Sequence, residues 1–181
     1  ITLYKEYERE LQKSEERYRI ILEEIEDGYQ EVDLKGNFTF FNNSFQKIFG
    51  YEKEELLGTN YKDYAADEEN ARKIYLAYNR MFKTGNPIKR YEWDIIAGDG
   101  SRKTIEFSAS ILKNSEGCPT GFRGIVRDVT ERRMAEEQYR IVANSSQVGV
   151  YIVQDGKIRF ANPHISKYSG YPENELTGAR M

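Results

Sequence analysis

The chain repeats itself, and the period of the repeat bounds what it can fold into. Glu16-Arg17-Tyr18-Arg19-Ile20-Ile21 returns as Glu137-Gln138-Tyr139-Arg140-Ile141-Val142. Gly28 then matches Gly149, and Val32 matches Val153. After a shift of one residue the match runs on through Gly36/Gly156, Phe40/Phe160, Asn42/Asn162 and Lys47/Lys167. It ends with Gly50-Tyr51/Gly170-Tyr171 and Glu55-Leu56-x-Gly58/Glu175-Leu176-x-Gly178. A spacing of about 120 residues is the size of a domain, not of a solenoid repeat. Residues 17–132 therefore read as one whole unit, and residues 136–181 as the opening half of another.

Each copy opens with the same pattern. Residues 3–26 form an amphipathic helix on paper: Leu3, Tyr7, Leu11, Ser14, Tyr18, Ile21 and Ile25 recur at spacings of four and three between charged residues. Such a stripe can seat a partner helix or lie on its own domain, and both readings stand. Gly28 is expected to end that helix. Residues 29–34 and 38–41 then read as strands joined by the turn Asp33-Leu34-Lys35-Gly36-Asn37. Asn42-Asn43-Ser44 supplies N-cap chemistry for a short helix carrying Phe45, Ile48 and Phe49, closed by Gly50. A helical turn over 52–57 follows, ended by Gly58. Asp67 is placed to cap a longer helix to about Lys83, which Gly85-Asn86-Pro87 stops.

Three alternating strands complete the unit, over 88–97, 103–112 and 121–129. Tyr91, Trp93 and Ile95, then Ile105, Phe107, Ala109 and Ile111, then Phe122, Gly124 and Val126 each share a face. Two strands, several short helices and three strands predict an α+β domain with helices on an antiparallel sheet.

These residues resemble the PAS family over almost the whole chain. The opening motif is Phe41-Asn42 with Phe45, Gly50-Tyr51 and Glu55-Leu56-Leu57-Gly58. The closing, PAC-type motif is Glu92, Asp99-Gly100-Ser101, Gly117, Gly121 and Arg127-Asp128-Val129-Thr130-Glu131-Arg132. The resemblance implies a five-stranded antiparallel sheet in the order 2-1-5-4-3 with helices covering one face. It also implies a module for sensing, dimerising and relaying conformational change. Tandem units of this kind are typical of sensor histidine kinases in two-component systems, with a diguanylate cyclase or other regulator as the alternative parent. The implied organisation is an N-terminal signalling helix (1–16), a complete PAS domain (17–132), a linker helix (131–145) and the first half of a second PAS domain (146–181). A homodimer is expected, with Leu3, Tyr7, Leu11 and Tyr18 on the shared helix and a kinase or other output domain C-terminal in the parent chain.

Asp128 and Thr130 lie where the last strand becomes a helix. Their side-chain oxygens can accept bonds from the N–H groups left unpaired at the helix start, which would carry a shift of the strand onward. The walls of any cavity between helices and sheet are expected to be Tyr78, Asn79, Trp93, Ile95, Ile105, Phe107, Phe122 and Val126. Such a set either binds a small organic ligand or is a core filled by its own rings.

Haem is not expected, because the only histidine, His164, falls in the second copy at a helix start. Flavin is not expected either, since Cys118 sits in the turn before the last strand instead of on a helix facing the ring. A lone cysteine cannot form an internal disulfide or a multi-thiolate metal site, and suits a reducing cytoplasm. No metal site is expected. Fourteen tyrosines, in a chain with 13% aromatic residues, point to rings serving both core and interface.

Lys and Arg are interspersed with Asp and Glu in a chain of net charge −3, which leaves no concentrated positive face for nucleic acid. No apolar run approaches the roughly 20 residues of a membrane span, so no membrane contact is expected of this segment, although the parent could be anchored elsewhere. The chain starts at Ile1 without a basic-then-apolar leader, an expectation against secretion. No phosphate-cradling glycine loop or nucleophile–base motif is present, so catalysis is expected only of a parent protein. The second copy lacks the three closing strands. Its hairpin is therefore expected to take a sheet edge or an apolar surface from another chain or from the first domain.

Overall fold

Alternation in the strands and capped short helices produce the expected layers. The computed structural model describes residues 2–145 and 148–179, except the side chains of residues 2, 3 and 173. They fall into two units that meet in sequence at Thr130/Glu131.

In the first unit, helix α1 (Thr2–Glu24) leads to strands β1 (Gly28–Asp33) and β2 (Phe38–Phe41). Helices α2 (Asn43–Phe49) and α3 (Lys53–Leu56), a 3-10 turn (Tyr61–Tyr64) and helix α4 (Glu68–Thr84) follow. Strands β3 (Ile88–Ile96), β4 (Arg102–Lys113) and β5 (Pro119–Asp128) close the unit. The sheet is antiparallel throughout, in the order β2-β1-β5-β4-β3. That is the topology the resemblance implied.

Helix α1 stops at Glu24, four residues short of Gly28, which is instead the first residue of β1. Gly28 is small for a packing reason: a Cβ there would stand 2.9 Å from Phe45 Cα on α2. Capping is as the sequence predicts at α4, where the Asp67 side chain accepts from Asn70 N–H and Gly85 adopts φ 72° at the C-terminus.

The core is built from rings. Phe45 and Phe49 stack at 4.2 Å, Phe38 stands edge-on to both, and Tyr61 stacks on Tyr78 at 4.8 Å. Trp93, Phe107 and Phe122 come up from the sheet, with Val32, Ile74, Met81, Ile95, Ile105 and Val126 between them, all buried.

The second unit contains α5 (Thr130–Ser145, from Glu131 on), β6 (Tyr151–Gln154), β7 (Lys157–Ala161), α6 (Pro163–Ser169) and α7 (Glu173–Leu176). Strands β6 and β7 form a two-stranded sheet of their own. The one-residue shift in the repeat lies in the turn. Asp155-Gly156, with φ of 54° and 68°, joins β6 to β7 in two residues, the backbone a primed hairpin turn requires. Both hairpins carry a register irregularity at matching places, Glu31/Val32 and Ile152/Val153. Among the described residues no helix is long and apolar enough to cross a membrane.

Candidate functional site

An amide at the junction of helix and sheet organises the first unit. Asn42 follows β2 and caps α2: its Oδ1 accepts from Phe45 N–H at 2.9 Å and from Tyr29 N–H at 2.8 Å. Its Nδ2 donates to Leu22 O, in the last turn of α1, at 2.7 Å and to Asp27 O at 3.1 Å. One buried side chain thus ties the incoming helix, the loop, the first strand and the next helix together. Ser44 adds a bond from its hydroxyl to Ile25 O at 2.7 Å. The carbonyls at the end of α1 would otherwise have only water as partners.

The second copy repeats this latch bond for bond. Asn162 accepts from Val150 and Ile165 N–H at 2.9 and 3.2 Å, and donates to Ala143 O and Val148 O at 2.7 and 2.9 Å. Ala143 lies in α5 as Leu22 lies in α1. The sequence singled out both asparagines and their capping role. Their grip on the preceding helix depends on loop geometry that no local pattern encodes.

A second bridge crosses the first unit. Arg127 Nε and Nη2 donate to the two carboxylate oxygens of Asp27 at 2.9 and 2.7 Å, joining the loop after α1 to the end of β5. That bidentate hydrogen bond holds the Asp27 carboxyl below its usual range, against the opposing effect of burial. Arg127 directly precedes Asp128. Asp128 Oδ1 accepts from Thr130 N–H at 2.9 Å and from the Thr130 hydroxyl at 2.6 Å. The Thr130 hydroxyl accepts from Thr104 N–H on β4 at 3.0 Å, and Val129 N–H donates to Thr104 O at 3.0 Å. Asp128 therefore meets the N–H expected of it. Thr130 does not: its oxygen turns to β4 instead of to the helix start, because the edge of β4 lies beside the strand end.

Of the expected cavity walls, Tyr78, Trp93, Ile105, Phe107 and Val126 line one enclosed space, and Ile95 and Phe122 are buried beside it. Asn79 corrects the sequence reading. It sits about 100° around α4 from Tyr78, its Nδ2 donates to Tyr75 O at 2.9 Å, and it borders an outer recess with Phe82. The reading missed Gln30, Phe38, Phe45, Phe49, Tyr61 and Ile74, which also line the space. Gln30 was detectable as a polar residue at an inward position of β1, between Gly28 and Val32. The enclosed space measures about 20 Å³. Burial pushes the Tyr61 hydroxyl up to about 12 and that of Tyr78 higher still, so both rings are neutral at any physiological pH.

On α1, Tyr7, Leu11 and Tyr18 are 68%, 50% and 68% exposed, and the Leu3 side chain lies outside the described residues. The uncovered face of the sheet carries Tyr29, Phe40 and Ile125, with Tyr29 and Phe40 edge-on at 6.0 Å. Cys118 is exposed in the β4–β5 turn, and His164 is the second residue of α6. Among the described residues no group of three or more His, Cys, Asp and Glu could hold a metal.

A PAS domain family model matches residues 26–131, and a second PAS domain model matches residues 137–181. A methyl sulfide methyltransferase-associated sensor from Methanosarcina acetivorans is 27% identical over 178 residues, 94% of this chain and 16% of that protein. Sporulation kinase C from Bacillus subtilis is 27% identical over 128 residues, 70% of this chain and 29% of its own length. The chain thus spans less than a third of these relatives. The PAS domain of a Colwellia psychrerythraea protein superposes with a TM-score of 0.59 at 20% identity, covering 65% of this chain and 98% of that domain. The PAS domain of an HTR-like protein from Haloarcula marismortui gives a TM-score of 0.56 at 21% identity, covering 68% and 98%. Matched by family models over both of its copies, this chain belongs to the PAS domain family.

Proposed function

We propose that the chain is the sensing and relay segment of a cytoplasmic sensor histidine kinase, acting as a homodimer and passing conformational change to a C-terminal kinase domain. The observation that carries this reading is the asparagine latch, present at the helix–sheet junction of both copies. A displaced helix end would have to move the first strand with it. From there Asp27–Arg127 leads to β5, and Asp128 and Thr130 lead to α5. The names of two relatives, sporulation kinases C and E, support a kinase as the output. The exposed stripe of Tyr7, Leu11 and Tyr18 supports dimerisation through α1.

This reading calls on no haem or flavin: rings line the interior space, and its about 20 Å³ suits relay more than storage of a metabolite.

The test is made in the full-length protein, with Asp128→Ala and Thr130→Ala combined. Autophosphorylation is expected to lose its response to stimulus while thermal unfolding of the PAS region shifts by only a few degrees, on the order of 1 kcal/mol at this size. Kinase regulation equal to wild type would refute the relay.

A further inference from the structure

The long helix and the strand after it depart from the mixed charge of the rest of the chain. Between Ala71 and Tyr91 stand Arg72, Lys73, Arg80, Lys83, Lys89 and Arg90 and no Asp or Glu, in a chain of net charge −3. Helical phase gathers part of this set. Lys73, Ala77, Arg80 and Thr84, at spacings of four, three and four, fall on one stripe of α4, beside the buried stripe of Ile74, Tyr78 and Met81. Only Gly85-Asn86-Pro87 separates α4 from β3, so the last turns of the helix and the first residues of the strand flank one cleft.

A bulge completes the strand side of that cleft. Ile88 pairs with Ala109 and Tyr91 with Phe107, so Lys89 and Arg90 together stand opposite Ser108. In a regular strand Ile88 and Tyr91, three apart, would face opposite sides. Here Arg90 is held at φ 47°, its N–H donating to Ser108 Oγ at 3.1 Å, and Ile88, Lys89 and Tyr91 all border the cleft. Bulges at sheet edges re-aim side chains in this way.

The cleft measures about 460 Å³, within the roughly 300–1,000 Å³ of small-molecule sites, against about 20 Å³ inside the core. Leu76, Pro87, Ile88 and Tyr91 give it apolar walls, Lys73, Arg80 and Lys89 give it charge, and no carboxylate lines it. Lys73 is engaged by Glu69 at 2.6 Å, which makes Arg80 and Lys89 the cations for a ligand. A cleft of one sign over apolar walls concentrates anions.

We propose that the α4–β3 cleft binds an organic anion with an apolar body, a monocarboxylate held between Arg80 and Lys89 with its carbon chain against Leu76 and Ile88. The site stands apart from the relay, since none of its residues belongs to the asparagine latch or to the Asp27–Arg127 bridge.

The probe is octanoate, titrated into the 15N-labelled chain, with acetate and 1-octanol as partial ligands. Saturable amide shifts are expected in α4 from Lys73 onward and in the first half of β3. Acetate and 1-octanol should each bind at least about tenfold more weakly than octanoate. Arg80→Gln combined with Lys89→Gln, both at exposed positions, should weaken octanoate at least about tenfold, and added salt should weaken it in the wild type. Leu76→Ser, at a side chain 54% exposed, should weaken octanoate and leave acetate unchanged. If the double variant does not fold, the Leu76→Ser comparison decides. The proposal is overturned by the absence of saturable shifts, or by shifts centred on the core or the outer face of the sheet. Acetate matching octanoate, or octanoate affinity unchanged in the folded double variant, overturns it equally.

Discussion

The two copies of the repeat share their hydrogen bonds and differ in their burial. Asn42 and Asn162 make matching sets of bonds, and Phe38 and Ile158 each exchange backbone bonds with the residues after the following helical turn. Yet Val32, Phe38 and Phe45 are 1–2% exposed, while Val153 is 40% exposed and Ile158 and Ile165 are half-buried. The junction between helix and hairpin is specified locally, between Leu22 and Phe45 in one copy and between Ala143 and Ile165 in the other. Burial is not: it comes from β3, β4, β5 and α4, which cover the rings of the first copy. Polar geometry here is local and apolar packing is global, consistent with most helix and sheet stability coming from tertiary contacts.

The contrast is sharpest at Phe45 and its counterpart Ile165. Phe45→Ala removes a ring stacked on Phe49, and is expected to cost the first domain about 3–5 kcal/mol in urea unfolding. Ile165→Ala, at a half-buried position, is expected to leave that transition where it was. Similar losses from both would break the distinction between the copies.

Next in size is the latch. Asn42→Ala strands buried N–H and C=O groups and is expected to destabilise the first domain by about 3 kcal/mol. Asn162→Ala is expected to free the amide of Val150 to exchange with solvent, read by hydrogen exchange, with the first domain unchanged. Protection of Val150 equal to wild type would mean the second latch is not formed in solution.

The Asp27–Arg127 bridge belongs to the first copy, since the repeat has Val148 where Asp27 stands, and it gives a pH signature. The Asp27 carboxyl titrates lower in the folded chain than in the unfolded one, so its contribution is full above the unfolded value of about 4 and is lost as pH falls through the lowered folded value. Arg127→Gln should therefore lower the urea midpoint slightly at pH 7, and the gap from wild type should close below about pH 4. A gap that stays constant with pH would mean Arg127 acts through packing alone.

The smallest effect separates the two leading helices. Tyr18 is 68% exposed, and Tyr18→Ala should change stability by less than about 0.5 kcal/mol. Tyr139 lies edge-on to Phe160 at 6.1 Å, and Tyr139→Ala should loosen the second hairpin, seen as chemical-shift changes at Phe160.

The strands, the short helices and the inward rings were legible in the sequence because period and capping are local signals, whereas the strand order came from the family resemblance. Trp93, Phe107 and Val126 follow from alternation, and Asp67 from capping chemistry. Asn79 was misplaced because adjacent helical residues differ by about 100° in direction, so a one-residue choice on α4 separates core from surface. Arg127 reaching Asp27, a hundred residues away in sequence, belongs to no pattern at all. Thr130 was drawn to β4 by a strand edge whose position only the assembled sheet defines.

Every bond of the asparagine latch ends on backbone: two carbonyls and one N–H behind it in the chain, and one N–H ahead. A joint that reads only main chain places no demand on the identity of its neighbours. Leu22 and Ala143 serve equally as acceptors, and Phe45 and Ile165 as donors. Such a joint can be duplicated along a gene without matching changes elsewhere, and helices of different sequence can be spliced onto it in one orientation. One amide per copy is then enough to make these modules interchangeable parts.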